Sequence, residues 1–206
     1  MIKCVLFDMN GVLIDSENLN KKVWKHLFEI YGFDFNEEIY NVEIDGKTSF
    51  EIADNKIIPS RREEFILTKD RLWKDFFKNN GIPVFYDTVH CVDKLYKKGL
   101  KLGVVTSSRK GEDILKATGL YDYFDAVVTG NDVRVGKPDP EIILKAIDIL
   151  QISTGQVAIV EDSIAGIIAG KRAGLYCIGL QRNSSIKQLP CDRIINSLAE
   201  LEDIIG

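Results

Sequence analysis

The chain has 206 residues, 45% of them hydrophobic and 28% charged, and a formal net charge of −4. These are the proportions of an ordinary soluble globular protein, and the acidic balance gives no support for a nucleic-acid partner. No apolar run approaches the roughly 20 residues that cross a bilayer, so no membrane partner is expected.

Cys4 to Phe7 is continuously apolar, as in a strand buried on both faces of a parallel sheet. It ends in Asp8, then in the turn-favouring pair Asn10-Gly11. From Ser16 to about Gly81 the strand signal vanishes. Val23, Trp24, Leu27, Phe28 and Tyr31 recur at helical spacing, and further helices are expected near 36–43, 48–57 and 60–79. This reads as an all-helical insert over residues 16–82, while 1–15 and 83–206 form the main domain. The loop Asp45-Gly46-Lys47-Thr48 interrupts the helices, either as a plain solvated turn or as a substrate-contacting loop.

After Pro83 helices and strands alternate. Helices are expected at 88–98, 112–118, 139–150 and 164–173, with strands at 100–105, 126–128, 157–160 and 175–179. A short strand near 194–195 and a helix from 198 close the chain. Alternation of this kind predicts an α/β fold, a doubly wound parallel sheet with a Rossmann-like core and a small helical cap domain. Cys4, Cys91, Cys177 and Cys191 form no CxxC pair and read as reduced thiols of a cytoplasmic protein. His26 and His90 lack ligand spacing, so zinc is not expected. A monomer is the default.

Each strand end delivers chemistry to one sheet edge, where open α/β sheets bind ligands. The first gives Asp8, and the second gives Thr106, Ser107 and Ser108 before a helix N-terminus. Lys137 lies after the third, and Glu161 and Asp162 end the fourth. Each has a plainer role: an Asx turn at Asp8, an N-cap at Thr106, an exposed loop lysine, a helix-capping acid pair. Taken together and in chain order, they favour a site. Three converging carboxylates repel unless a cation sits among them, and hard oxygen donors suit Mg²⁺. Hydroxyls, a lysine and Mg²⁺ match a phosphoryl group, with Asp8 as the attacking carboxylate.

In those motifs the sequence resembles the haloacid dehalogenase superfamily, in the branch whose helical cap follows the first motif. That branch includes small-molecule phosphatases, β-phosphoglucomutase, phosphonoacetaldehyde hydrolase and the dehalogenases. The first motif stands as Asp8-Met-Asn-Gly-Val-Leu-Ile-Asp15-Ser16, the second as Thr106, the third as Lys137 in Gly-Lys-Pro-Asp-Pro, and the fourth as Glu161-Asp-Ser-Ile-Ala-Gly166. The resemblance implies that Asp8 is nucleophile and metal ligand. It adds the backbone carbonyl of Asn10 and Asp162, with Glu161, to the Mg²⁺ ligands. It also implies that Thr106 and Lys137 hold the phosphate, helped by Ser107, Ser108 and Arg109, and that Lys47 and Thr48 contact the rest of a small phosphorylated metabolite.

Asn10 departs from the pattern. Phosphatases of the family carry there an aspartate that protonates the leaving oxygen, which an amide cannot do. The expectation is therefore a phosphohydrolase of weak activity or an introduced change, with a β-phosphoglucomutase-like transferase or a non-catalytic phospho-ligand-binding protein as alternatives. Asn20 stands where mutase relatives have a histidine, which weakens the mutase reading.

Overall fold

A computed structural model describes residues 1–44, 49–182 and 189–205. Lys47 and Thr48 lie outside the described residues. The chain divides into two compact units, Met1–Asp15 with Pro83–Gly206, and Ser16–Ile82.

Strand β1, Cys4–Phe7, is fully buried and is followed by the helical unit. That unit contains α1 (Ser16–Tyr31), α2 (Glu37–Ile39), a π-helical turn (Tyr40–Ile44), α3 (Ser49–Lys56), a 3₁₀ turn (Pro59–Arg61) and α4 (Arg62–Asn80). Its core is aromatic: Trp24 meets Phe28 edge-on at 6.0 Å, and Tyr31 meets Phe65 at 4.9 Å. The helix expected over 36–43 is a single α turn running into π geometry. Asn36 caps the turn by accepting from the Ile39 N–H, and buried Tyr40 and Ile44 then share one side of the wider π turn. The helix expected from residue 60 becomes α-helical only at Arg62. Pro59, lacking an N–H, opens a 3₁₀ turn ahead of it.

The second unit resumes with α5 (Thr88–Lys97), β2 (Lys101–Val105), α6 (Gly111–Ala117), β3 (Ala126–Val128) and α7 (Glu141–Leu150). It continues with β4 (Val157–Glu161), α8 (Ile164–Arg172), β5 (Tyr176–Leu180), β6 (Arg193–Ile195) and α9 (Leu201–Ile205). The six strands form one parallel sheet in the order β3-β2-β1-β4-β5-β6. Cys4 and Leu6 pack with apolar residues of α7 and α8, among them Ile143, Ala146 and Ile167. Burial of the intervening Val5 and Phe7 requires cover on the other face too.

Helix α7 starts two residues later than expected. Asp139 belongs to the preceding turn: its N–H donates to Gly136 O and its Oδ1 accepts from the Glu141 N–H. Strand β4 runs one residue longer, so Glu161 is a strand residue in register with Gly179. That shift changes what Glu161 can do.

Candidate active site

Strand order reverses direction at β1, which lies between β2 and β4, and this switch point is where a doubly wound sheet opens a crevice beyond its C-terminal edge. Asp8 follows β1 directly, its N–H donating to Val160 O on β4 at 3.0 Å. The next residues make a tight turn in which Met9 O accepts from both the Leu13 and Ile14 N–H groups. Gly11 has φ +74° within that turn, and a side chain there would meet Asp162: a Cβ would sit 1.9 Å from its Oδ2. The Asp162 carboxylate therefore lies against the backbone one residue beyond Asn10. The Gly11 N–H donates to Ile14 O at 2.9 Å.

Lys137 joins three strand ends. Its Nζ donates to Asp8 Oδ1 at 2.6 Å, to the Val105 carbonyl at 2.9 Å and to Glu161 Oε1 at 2.5 Å. Its loop is held from several sides. Glu141 accepts from the Arg134 and Val135 N–H groups, and Arg172 donates to Pro138 O. Glu161 is fully buried, and its second oxygen accepts from the Ser163 hydroxyl at 2.9 Å. A Cβ on Gly166 would fall 1.9 Å from the Glu161 carboxyl carbon, so only glycine leaves room for that carboxylate.

Burial pushes the Asp8 carboxyl up to about 7. Lys137 opposes the rise, while the charges of Glu161 and Asp162 add to it. Burial pulls the Lys137 ammonium down, but Asp8 and Glu161 outweigh it and hold the proton firmly. Ionised, the three carboxylates and one ammonium sum to a charge of −2.

Thr106 is buried after β2. Its N–H donates to Val128 O, and its Oγ1 accepts from the Ser108 N–H at 3.2 Å. Ser107 and Arg109 are exposed on the same loop, which Asn131 braces by donating to Arg109 O at 2.7 Å. Asp8 and Glu161 are thus both bonded to Lys137, Thr106 adjoins Val105, and Asp162 adjoins the Asn10–Gly11 turn. Ser107, Ser108 and Arg109 share the Thr106 loop without a hydrogen bond to Asp8. Sequence reasoning missed the Val105 carbonyl, a backbone group with no side-chain signature. It also missed Ser163 and Gly166 as the supports of Glu161, although both stand inside the fourth motif.

A doubly wound parallel sheet with a carboxylate-and-lysine cluster at its switch point, interrupted after the first strand by a helical unit, defines a Rossmann-like α/β protein with an enzyme-like site. Residues 5–180 match the family model for haloacid dehalogenase-like hydrolases. The chain is 30% identical to validoxylamine A 7′-phosphate phosphatase of Streptomyces hygroscopicus subsp. limoneus, over 98% of this chain and 96% of that one. It is 27% identical to β-phosphoglucomutase of Bacillus subtilis, over 97% and 92% respectively. A solved structure from Thermotoga maritima, provisionally named a β-phosphoglucomutase, superposes with a TM-score of 0.86 at 25% identity, covering 99% of this chain and 98% of that one. The chain belongs to the haloacid dehalogenase-like hydrolase family, in its phosphatase and β-phosphoglucomutase-like branch.

Proposed function

We propose that the chain is a Mg²⁺-dependent phosphohydrolase acting on a small phosphorylated metabolite, with sugar and polyol phosphates among the candidates, through an aspartyl-phosphate on Asp8. The observation that carries the reading is the Lys137 ammonium, bonded at once to Asp8, the Val105 carbonyl and Glu161. A nucleophilic carboxylate must be held still and its charged form favoured; this contact fixes Asp8 in place and opposes the rise that burial imposes. Thr106, with Ser107, Ser108 and Arg109 on its loop, would receive the phosphoryl oxygens beside Lys137. The helical unit Ser16–Ile82 would be the cap that selects substrate, Lys47 and Thr48 included. The protein would work as a cytoplasmic monomer; among the described residues no helix is long and apolar enough to cross a membrane.

The donor set fits Mg²⁺. Lys137 uses one oxygen of Asp8, and the remaining donors are hard oxygens: the second Asp8 oxygen, Asp162 against the Gly11 backbone, and the neighbouring Asn10 carbonyl. Among the described residues no group of three or more His, Cys, Asp or Glu side chains could hold a metal ion; the proposed set would draw on two carboxylates and one carbonyl. When bound, Mg²⁺ would neutralise negative charge at the phosphoryl oxygens. Glu161, with Oε1 given to Lys137 and Oε2 to Ser163, serves in this reading as the holder of Lys137 and not as a metal ligand.

The mutase alternative is weaker: Asn20, whose side chain donates to Tyr40 Oη at 3.3 Å, offers an amide and no imidazole. A phosphate-release assay over a panel of esters with Mg²⁺, run beside Asn10→Asp, tests the proposal. Release that depends on Mg²⁺ and rises in the variant is expected. Isomerisation without net release would indicate a mutase, and tight binding without turnover in either protein a binding protein.

A further inference from the structure

Among the described residues, the groups bonded around Asp8 include no proton donor for a departing oxygen. An ammonium has three N–H bonds, and those of Lys137 meet three acceptors at 2.6, 2.9 and 2.5 Å. Glu161 is fully buried with both oxygens engaged. Asp8 itself is the attacking group. Asn10, on the turn beside it, carries an amide that does not titrate, and the hydroxyls of Thr106, Ser107 and Ser108 do not release protons at neutral pH. An aliphatic alkoxide cannot leave such a site without drawing its proton from water. A carboxylate, a phosphate or a phenolate can leave as it stands.

We infer that the preferred substrates are phosphorylated compounds with an acidic leaving group, namely acyl phosphates, phosphoanhydrides and aryl or enol phosphates, ahead of simple alkyl esters. This rests on the Asp8 reading above. In the first step an Asp8 oxygen bonds to phosphorus as the bond to the leaving oxygen breaks, and the electron pair departs on that oxygen. In the second step a water oxygen bonds to phosphorus and the Asp8–phosphorus bond breaks. The pair returns to the carboxylate, and the water proton passes to the departing phosphate or to solvent.

The test measures kcat/KM with Mg²⁺ on acetyl phosphate, p-nitrophenyl phosphate, phenyl phosphate and glycerol 3-phosphate, corrected for spontaneous hydrolysis, in the native protein and in Asn10→Asp. General acid help is worth about 10²–10⁴-fold. The native protein should therefore favour the activated substrates over glycerol 3-phosphate, and the ratio should contract in Asn10→Asp by a factor of about that size. Taking the ratio in both proteins cancels shape preference. A native protein equally fast on glycerol 3-phosphate and p-nitrophenyl phosphate, or a ratio unchanged by the substitution, overturns the inference. If Asn10→Asp fails to fold, the native p-nitrophenyl-to-phenyl comparison stands alone, and equal rates overturn it. Absence of release from all four substrates by both proteins overturns the hydrolase reading itself.

Discussion

Replacing Asp87 by alanine should destabilise the α/β unit by about 3–5 kcal/mol at neutral pH, the cost of breaking a buried ion pair from one side. Asp87 is 5% exposed, just before α5. Its Oδ2 accepts from Arg182 Nη1 at 3.0 Å, Ser197 Oγ at 2.6 Å and the Leu198 N–H at 2.8 Å, while Oδ1 pairs with Arg182 Nη2 at 2.8 Å. Hydrogen bonds to a charged group are worth about 1.5–3 kcal/mol each, so the gross sum would be larger. They share one carboxylate, however, and Arg182 keeps its bond to Val12 O at 2.8 Å and its stacking on Phe85. The lower figure follows, equivalent to a fall in Tm of about 6–20 °C for a chain of this size. The effect should depend on pH. Burial opposes ionisation of Asp87, but the bonds from Arg182, Ser197 and Leu198 outweigh it and hold the carboxyl below its ordinary value. A depressed folded pKa gives stability that is present above the unfolded value, near 3.9, and lost as pH falls through the folded one. The gap between native and variant should therefore shrink below about pH 4. Urea unfolding followed by far-UV circular dichroism at stepped pH is the assay. Tryptophan fluorescence would report the other unit, since Trp24 and Trp73 both lie there. A loss below about 1 kcal/mol at pH 7, the size of an exposed pair, or a loss undiminished at pH 3, would refute the reasoning.

Lys137→Met should abolish measurable phosphate release and weaken the fold most at high pH, because Asp8 and Glu161 would then face each other unpaired; urea midpoints at pH 6 and pH 9 check this. Gly11→Ala strains a backbone at φ +74°, by about 1–2 kcal/mol, and pushes Asp162 aside, so Mg²⁺ affinity by calorimetry should drop more than stability does. Gly166→Ala gains about 1 kcal/mol of helix propensity but drives a methyl group into the Glu161 carboxylate; net destabilisation in urea is expected, and a stabilised variant would contradict the packing.

The sheet was readable because its strands are short buried runs between turn residues, and β3 falls on Ala126–Val128 as the pattern predicts. Boundaries slipped where a side chain imitated backbone, as at Asp139, whose carboxylate satisfies the Glu141 N–H before the helix begins. Asp8, Lys137 and Glu161 were legible as a group because each ends or follows a strand and parallel strands share one C-terminal edge. The role of Glu161 was not, because the direction of a carboxylate depends on Gly166 leaving room and Ser163 donating, and neither has a periodic signature. The Asp87–Arg182 pair joins residues 95 positions apart with no motif between them. Only geometry reveals it.

The chain leaves the sheet domain and re-enters it side by side. The Asp15 N–H donates to Pro83 O, the Phe85 N–H to Leu13 O, and Ile14 and Val84 form an antiparallel bridge. Thr88 ties the same ribbon by donating to Leu13 O at 2.9 Å. Because the two ends of the excursion are already stitched together, the sixty-odd residues between them hang from a closed stem. Such a stem lets one helical module be exchanged for another without disturbing the register of the strands.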